Sequence, residues 1–489
     1  MYRPSRKIKQ EEHYIIERFK LLLDEDAKDS LPVLPKELDV KMVIADYFIK
    51  MKGVIEEILK TRCNGVPLSQ LLFVLSVPAE WPPNTRNILR NCVYKAELLD
   101  ESNQHKLEFT TEPEAAAIYC LLSSGANLSV GDTYLVVDCG GGTVDLTIRT
   151  LLPDKTLEEE TPRSGDPCGS TFVDQEFEKF LRRVVGSKAM EEFKEKNYGS
   201  FQKLIYEFFC PEVKLPFNGD PNDFETIELD LEKYCPALIP YITGEARKKL
   251  DSENWVIDIE FEDVMRMFDP VVNKIIDLIS AQLDSLPEQR KVTTMFLVGG
   301  FSESGYLFRR INNVFKKRIS NILVPPEPIA AIAKGACYYG LNKKIIKRRA
   351  LKWSYGIETN SEYRYGDDPM SLRLDNDRII RFNALAYKGE KLKVNEERKK
   401  EYRPLKKNQL SVTFKLLYSD SPDPKYPSRD GAKLLGNLTI NLPLKSFGTE
   451  RQIEYFLKFA EEEIKVMARN KTTCEIYRTT FKYPDGSYL

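Results

Sequence analysis

The chain has 489 residues and 42% hydrophobic content, enough for two to four domains with ordinary cores, which excludes disorder as a description of the whole chain. Lys plus Arg number 73 and Asp plus Glu 74, a formal charge of -1, so the overall balance provides no pull toward nucleic acid or an anionic membrane. Nine scattered cysteines, none spaced Cys-x-x-Cys, argue against a disulfide framework and a structural zinc site. With only His13 and His105 present, a polyhistidine metal centre is excluded, and a Ser-His-Asp triad has two unpromising histidines to draw on.

The opening MYRPSRKIKQEEHY lacks the apolar core of a secretory signal, and no uninterrupted apolar run reaches about 18 residues, which predicts no membrane partner and a reducing, cytoplasmic or nuclear compartment. Residues 11–24 and 40–60 space apolar side chains by three and four, predicting amphipathic helices that serve as scaffold. LLFVLSVPA (71–79) is a short apolar run bounded by prolines, predicting a strand buried on both faces, with a helix over 84–99. TYLVVD (133–138), the glycines 140–142 and TVDLTIRTL (143–151) predict two strands joined by a glycine turn as a hairpin. TMFLVGG (294–300) predicts another buried strand with paired glycines at its end, followed by a helix over 306–319. Beyond the basic KKIIKRR (343–349), short alternating segments such as 410–418 and 435–444, separated by Pro, Gly and Asp, predict a β-sandwich module and a boundary near 345–355. The charge run at 392–407 reads as a solvated strand or loop face.

Asp138 ends a buried strand just before Gly140, Gly141, Gly142 and Thr143, and Asp145 stands two residues into the next strand. Glycines admit a close ligand, successive N–H groups at such a turn form a concave anion site, and flanking carboxylates suit a hydrated Mg²⁺ that shares phosphate oxygens. The alternative is a tight hairpin whose aspartates make ordinary turn hydrogen bonds. A second strand-to-glycine turn, FLVGGFSESG (296–305), favours a ligand, since two such turns facing each other across a cleft clamp the two ends of a nucleotide. Neither turn is a Walker A loop or a G-x-G-x-x-G fingerprint.

VVDCGGGTVDLTI (136–148) resembles the second phosphate motif of the actin-like ATPases, and FLVGGFSES (296–304) resembles their adenosine motif. TTEPEAAAIYCLL (110–122) is similar to the connecting helix of the heat shock protein 70 family, and LSVPAEW (75–81) to the strand before it. The wording of GGFSES, GSTFVDQEF (169–177), WSYGIE (353–358) and EIKVMAR (463–469) is most similar to the divergent heat-shock-70-like 12A/12B branch. The resemblance implies an α/β fold of the actin-like (ribonuclease H-like) two-lobed kind over residues 1–349, and a β-rich domain like a substrate-binding module over 350–489. It implies a chaperone-type ATPase using ATP or ADP with Mg²⁺, a monomer, and unfolded-protein clients or signalling partners.

Carried over, the resemblance makes Asp138 and Asp145 the carboxylates that hold magnesium through water, Thr143 a γ-phosphate contact, and Gly140, Gly141 and Gly142 the phosphate cradle. Glu112 orients the attacking water or a magnesium-bound water, Gly299 and Gly300 line ribose and phosphates, and Glu245, Lys248 and Lys249 border adenine and ribose. Taken alone, Glu112 suits a helix N-terminus and the two lysines suit solvated helix charges.

The family's first phosphate loop, Asp-x-Gly-Thr-Thr, is absent from the sequence, the lysine that supports the attacking water has no assignable match, and neither the classical acidic-hydrophobic linker nor a long helical lid follows. Phosphoryl transfer depends on positioning and charge stabilisation, so a missing wall of the cradle costs catalysis heavily. The expectation is either an N-terminally truncated form of an active ATPase, which the helix-rich first 60 residues favour, or a catalytically silent interaction scaffold. A third rival is a metabolite kinase of the same superfamily, which EPEAAA and EIKVMAR disfavour.

Overall fold

In the computed structural model the described residues are 16, 19–23, 34, 38–78, 83–100, 103, 106–123, 128–287, 289–393, 395–443, 445–459 and 463–482. Most of the predicted helix at 11–24 and the Ala79-Glu80-Trp81 end of the LSVPAEW motif lie outside them; Phe19–Leu23 forms a short 3-10 turn.

Helix α1 (Val40–Arg62) packs on α2 (Pro83–Lys95), burying Val43, Ile44 and Ala45 with Cys92 and Val93. Between them β1 (Phe73–Val77) pairs in parallel with β2 (Leu107–Thr111). Four of the five β1 residues are only half-buried, unlike the two-sided burial that the apolar run predicts. The reason is topological: β1 pairs only with β2 among the described residues, so its other edge is uncovered. Helix α3 (Glu112–Ser123) begins on the residue after β2, and its Ala115, Ala116 and Ala117 are fully buried.

The larger part of the molecule is built on β3 (Thr133–Cys139), β4 (Val144–Leu151), β5 (Leu157–Glu159) and β6 (Ser164–Asp166), followed by α4 (Thr171–Val185), α5 (Ser187–Leu204), β7 (Ile227–Asp230), α6 (Leu231–Tyr234), α7 (Gly244–Ser252), β8 (Val256–Ile259) and α8 (Phe261–Asp284). Next come β9 (Val292–Val298), α9 (Gly305–Phe315), β10 (Asn321–Leu323), α10 (Ala331–Leu341) and β11 (Ile346–Ala350). The sheet order is β10-β9-β3-β4-β5-β11, with β3, β4 and β5 antiparallel, β9 and β10 parallel to β3, and β6 paired to β4. Successive residues of β3 point to opposite faces, Leu135 and Val137 into a core shared with α4, α8 and α9, and Tyr134 and Val136 into one shared with α3 and α10. Helices on both faces explain why these strands read as unbroken apolar runs.

This order corrects one expectation. The two glycine turns do not face each other across a cleft: β3 and β9 are parallel neighbours with Asp138 level with Val298, so both turns leave the same edge of one sheet side by side.

The remaining strands are β12 (Ser354–Glu362), β13 (Arg378–Ala386), β14 (Lys391–Leu392), β15 (Glu396–Tyr402), β16 (Ser411–Ser419), β17 (Lys433–Asn441), β18 (Ile453–Phe459), β19 (Glu463–Asn470) and β20 (Ile476–Lys482). Two antiparallel sheets, β13-β12-β16-β17 and β15-β18-β19-β20, share a core that includes Tyr355, Ile357, Leu416, Tyr455, Leu457 and Val466. β15 lies in the charge run at 392–407, and its residues alternate between half-buried and exposed, a solvated strand face. β14 pairs with β11 and so joins the central sheet, and residues 349 and 350 both belong to β11. The whole is a mixed α/β, actin-like fold followed by a β-rich region, the architecture that the resemblance implies. Among the described residues no helix is long and apolar enough to cross a membrane.

Candidate functional site

The antiparallel register of β3 and β4 sets Asp138 directly opposite Asp145. Glu112 is the first residue of α3, and one carboxylate oxygen from each of Glu112, Asp138 and Asp145 lies within 4.8 Å of the others, all three residues being buried. Three carboxylates so close repel one another unless they are protonated or meet a cation. Burial first, and the Glu112 charge second, push the Asp138 carboxyl up to about 7, against a lowering by Lys20. Such a donor set of hard oxygens suits Mg²⁺.

Lys20, in the turn Phe19–Leu23, places its amine on Glu112 Oε1. The apolar spacing of 11–24 marks this segment as scaffold, and its lysine reads as an ordinary solvated charge. The structure instead brings Lys20 to the carboxylate cluster, where it is the basic neighbour for which the motifs alone supply no match. The one signal was its place as the single charge in FKLLL.

The turn between β3 and β4 is braced from behind. Gly140 N–H donates to Thr143 O (3.0 Å), while the carbonyls of Gly142, Gly140 and Gly141 accept from the N–H groups of Gly169 (3.1 Å), Ser170 (3.0 Å) and Thr171 (2.9 Å) at the start of α4. The Thr171 hydroxyl also donates to Gly141 O at 2.9 Å. With the carbonyls engaged there, the N–H groups of Gly141, Gly142 and Thr143 have no protein acceptor among the described residues. Such a run of unmatched N–H groups is an anion-binding concavity.

Gly299 completes the edge. Its φ of +84° is hostile to side chains, its N–H donates to Pro328 O at 2.9 Å, and a Cβ there would sit against the Cys139 carbonyl and 2.5 Å from Asp138 Oδ1. Gly300 follows it, with Ile329 beside it. Gly165 of β6 was not singled out from the sequence, yet a Cβ on it would lie 2.8 Å from Asp145 Oδ1.

The structure thus brings together Glu112, Asp138, Asp145, the glycine turn with Thr143, and Gly299. Glu245, Lys248 and Lys249 lie apart on α7, with side chains 89%, 76% and 71% exposed, Lys248 pairing with Glu245 at 2.8 Å and Lys249 with Glu253 at 3.9 Å. Among the described residues no hydrogen bond joins them to the carboxylate cluster. On the far side of the cluster α3 is capped by a Thr-x-x-Glu box, Glu114 N–H donating to Thr111 Oγ1 (3.4 Å) and Thr111 N–H to Glu114 Oε2 (3.5 Å). Burial alone would raise the Glu114 carboxyl, but Arg349, Arg163 and Arg149 hold it well below the usual range.

No protein-family model matches the chain. Heat shock 70 kDa protein 12A of Mus musculus is 27% identical over 520 residues, covering 93% of this chain and 76% of that protein. Over most of its length the chain is similar to heat-shock-70-like proteins of the 12A/12B branch. Heat shock 70 kDa protein 12B of Homo sapiens is 25% identical over 494 residues, 84% of this chain and 70% of that protein. The chaperone protein DnaK of Carsonella ruddii (strain PV) is 23% identical over 356 residues, 70% of this chain and 52% of that protein. At 93% of this chain, the 12A alignment takes in the sheet that carries the cluster and most of the β-rich region.

Proposed function

We propose that this protein binds ATP or ADP with Mg²⁺ at the Glu112–Asp138–Asp145 cluster and, as a molecular chaperone, couples nucleotide state to binding by its C-terminal β module. The observation that carries the reading is the convergence of three buried carboxylates beside a glycine turn with unmatched N–H groups. Asp138 and Asp145 would hold the ion through water, and the N–H groups of Gly141, Gly142 and Thr143 would receive phosphate oxygens. Bound magnesium would neutralise phosphate charge. Thr143 would contact the γ-phosphate, Glu112 would accept from the attacking water, and Lys20, on Glu112, would steady that carboxylate. Gly299 and Gly300 line ribose and phosphates, and Glu245, Lys248 and Lys249 border adenine and ribose. Clients are unfolded segments or signalling proteins at the β module, the working form is a monomer, and the site of action is the cytoplasm or nucleus.

A second reading is a catalytically silent interaction scaffold that keeps the same fold. Calorimetric titration with Mg-ADP, paired with a phosphate-release assay, separates the two. Binding with release supports the ATPase, binding without release the scaffold, and no binding removes the nucleotide reading. Lys248→Ala with Lys249→Ala tests the adenine edge, where unchanged Mg-ADP affinity would remove those residues from the site.

A further inference from the structure

The end of the central sheet formed by β5, β11 and β14, where the chain runs on into the C-terminal module, is ionic and deeply buried. The side chains of Glu159 and Arg149 are 0% exposed, those of Glu114 and Glu160 2%, and that of Arg349 5%. Charges held out of water persist only when paired with good geometry. Arg149 Nη2 lies 3.1 Å and Arg163 Nε 3.0 Å from Glu159 Oε1, charge contacts that lack hydrogen-bond alignment. Arg163 Nη1 donates to Thr111 Oγ1 at 3.0 Å, and Arg349 Nε donates to Glu114 Oε1 at 2.5 Å. The Ala350 N–H donates to Glu159 Oε2 at 2.9 Å. Further out, Arg348 reaches Glu158 at 3.1 Å, and Lys391 of β14 reaches Glu158 at 2.9 Å and Glu160 at 2.6 Å.

Three of these contacts, from Arg348, Arg349 and the Ala350 N–H, belong to β11, the strand that leads into the β module, and the last two reach the buried interior. Their targets differ in consequence. Glu159 stays in the sheet, whereas Glu114 and Thr111 are the two halves of the cap on α3, and Glu112 lies between them in the chain. The first turn of α3 is therefore held from outside by Arg349 and Arg163 and from inside by the cap. Lifting β11 would leave Glu114 buried without its closest guanidinium and free the turn that carries Glu112.

We infer that Glu114 and Arg349 are positioning residues for Glu112, so that the seating of β11 sets the place of the third carboxylate in the cluster. The inference rests on the nucleotide reading of that cluster for its functional consequence, though not for its mechanical one. Arg348 provides an internal comparison, because it sits on the same strand and loses the same charge but pairs with Glu158, away from α3.

The test uses the full chain as Arg349→Gln, Glu114→Gln, the double variant and Arg348→Gln, with Mg-ADP as the titrant and backbone amide exchange of peptides over 110–118 as a second readout. The expected result is at least a tenfold loss of Mg-ADP affinity in each α3-linked single variant, no further loss in the double, and wild-type affinity in Arg348→Gln. Additive losses, or a lowered melting point with unchanged Mg-ADP affinity, would reduce the pair to a structural role and overturn the inference. Should Arg349→Gln fail to fold, Glu114→Gln, which keeps the cap geometry, carries the same comparison. Should the wild type not bind Mg-ADP, the nucleotide reading fails by itself, and exchange decides the rest. Faster exchange over 110–118 in Arg349→Gln but not in Arg348→Gln supports positioning, and equal exchange overturns it.

Discussion

Gly299→Ala, set against Gly186→Ala, tests the packing of the two glycine turns. Both residues occupy backbone regions reserved for glycine, Gly299 with φ 84° and ψ 162° and Gly186 with φ 97° and ψ 139°. Adopting that conformation costs an alanine about 1–3 kcal/mol at either position. They differ in surroundings. A Cβ on Gly186 meets nothing within 4 Å, whereas one on Gly299 meets the Cys139 carbonyl and, at 2.5 Å, Asp138 Oδ1. Cys139 belongs to a fully buried strand, so its backbone has little room to yield, and overpacking adds about 1–3 kcal/mol. Gly299→Ala should therefore lose about 2–6 kcal/mol and Gly186→Ala about 1–3, read from the urea midpoint of the transition that Mg-ADP shifts. Only the Gly299 variant should also weaken Mg-ADP, since it displaces Asp138. Equal losses in the two variants, with equal nucleotide affinity, would refute the close approach of β3 and β9 at this edge.

Asp138→Asn should weaken Mg-ADP at least tenfold while leaving the fold intact, and its stability effect has a definite sign in pH. The Asp138 carboxyl in the folded chain sits near 7, against an ordinary 3.8, so the folded state holds that proton more tightly than the unfolded one. The favourable contribution is complete below about pH 4 and is lost as pH rises toward 7, a change on the order of 2–4 kcal/mol. The metal-free asparagine variant should accordingly gain on the wild type between pH 4 and pH 8 in denaturant melts, and parallel profiles would contradict the assigned burial. Lys20→Met removes a cation that competes for the cluster, and free Mn²⁺ measured by electron paramagnetic resonance should reveal an affinity about fivefold higher without nucleotide; no change would place Lys20 outside the site. In the β module, Arg451 is fully buried and donates to the carbonyls of Gly448, Gln409, Leu442 and Lys407 at 2.7–2.8 Å. Arg451→Met orphans those acceptors and should destabilise the module by about 3–5 kcal/mol, read from the tryptophan emission change on urea unfolding.

The elements nearest the chemistry were the most legible. The β3 turn and β4 are specified locally, because Asp138, three glycines, Thr143 and Asp145 lie within eight consecutive positions, and α3 announces itself by Glu-Pro-Glu and a run of alanines. Strand order was not legible. β3 and β9 are separated by more than 150 residues, and their adjacency depends on how the intervening helices pack on the faces of the sheet. Lys20 was hidden because a charge in an amphipathic segment reads as solvated, and only the chain path brings it to Glu112. The same expectation concealed the ionic end of the central sheet: KKIIKRR and the glutamates at 158–160 look like surface, whereas Glu159 and Arg349 are buried against partners distant in sequence. Charged residues lose their local meaning when the fold provides an opposite charge, and that pairing is set by tertiary contact alone.

Thermal melting of the whole chain with and without Mg-ADP and Mg-ATP tests the nucleotide site most directly, since a ligand that binds only the folded state adds about 2.7 kcal/mol of stability at a hundredfold excess over its dissociation constant. The predicted result is a cooperative transition that both nucleotides raise, that magnesium alone raises less, and that nucleotide raises less in Asp138→Asn than in the wild type. A cooperative transition that neither nucleotide moves in the wild type would contradict nucleotide binding at the Glu112–Asp138–Asp145 cluster.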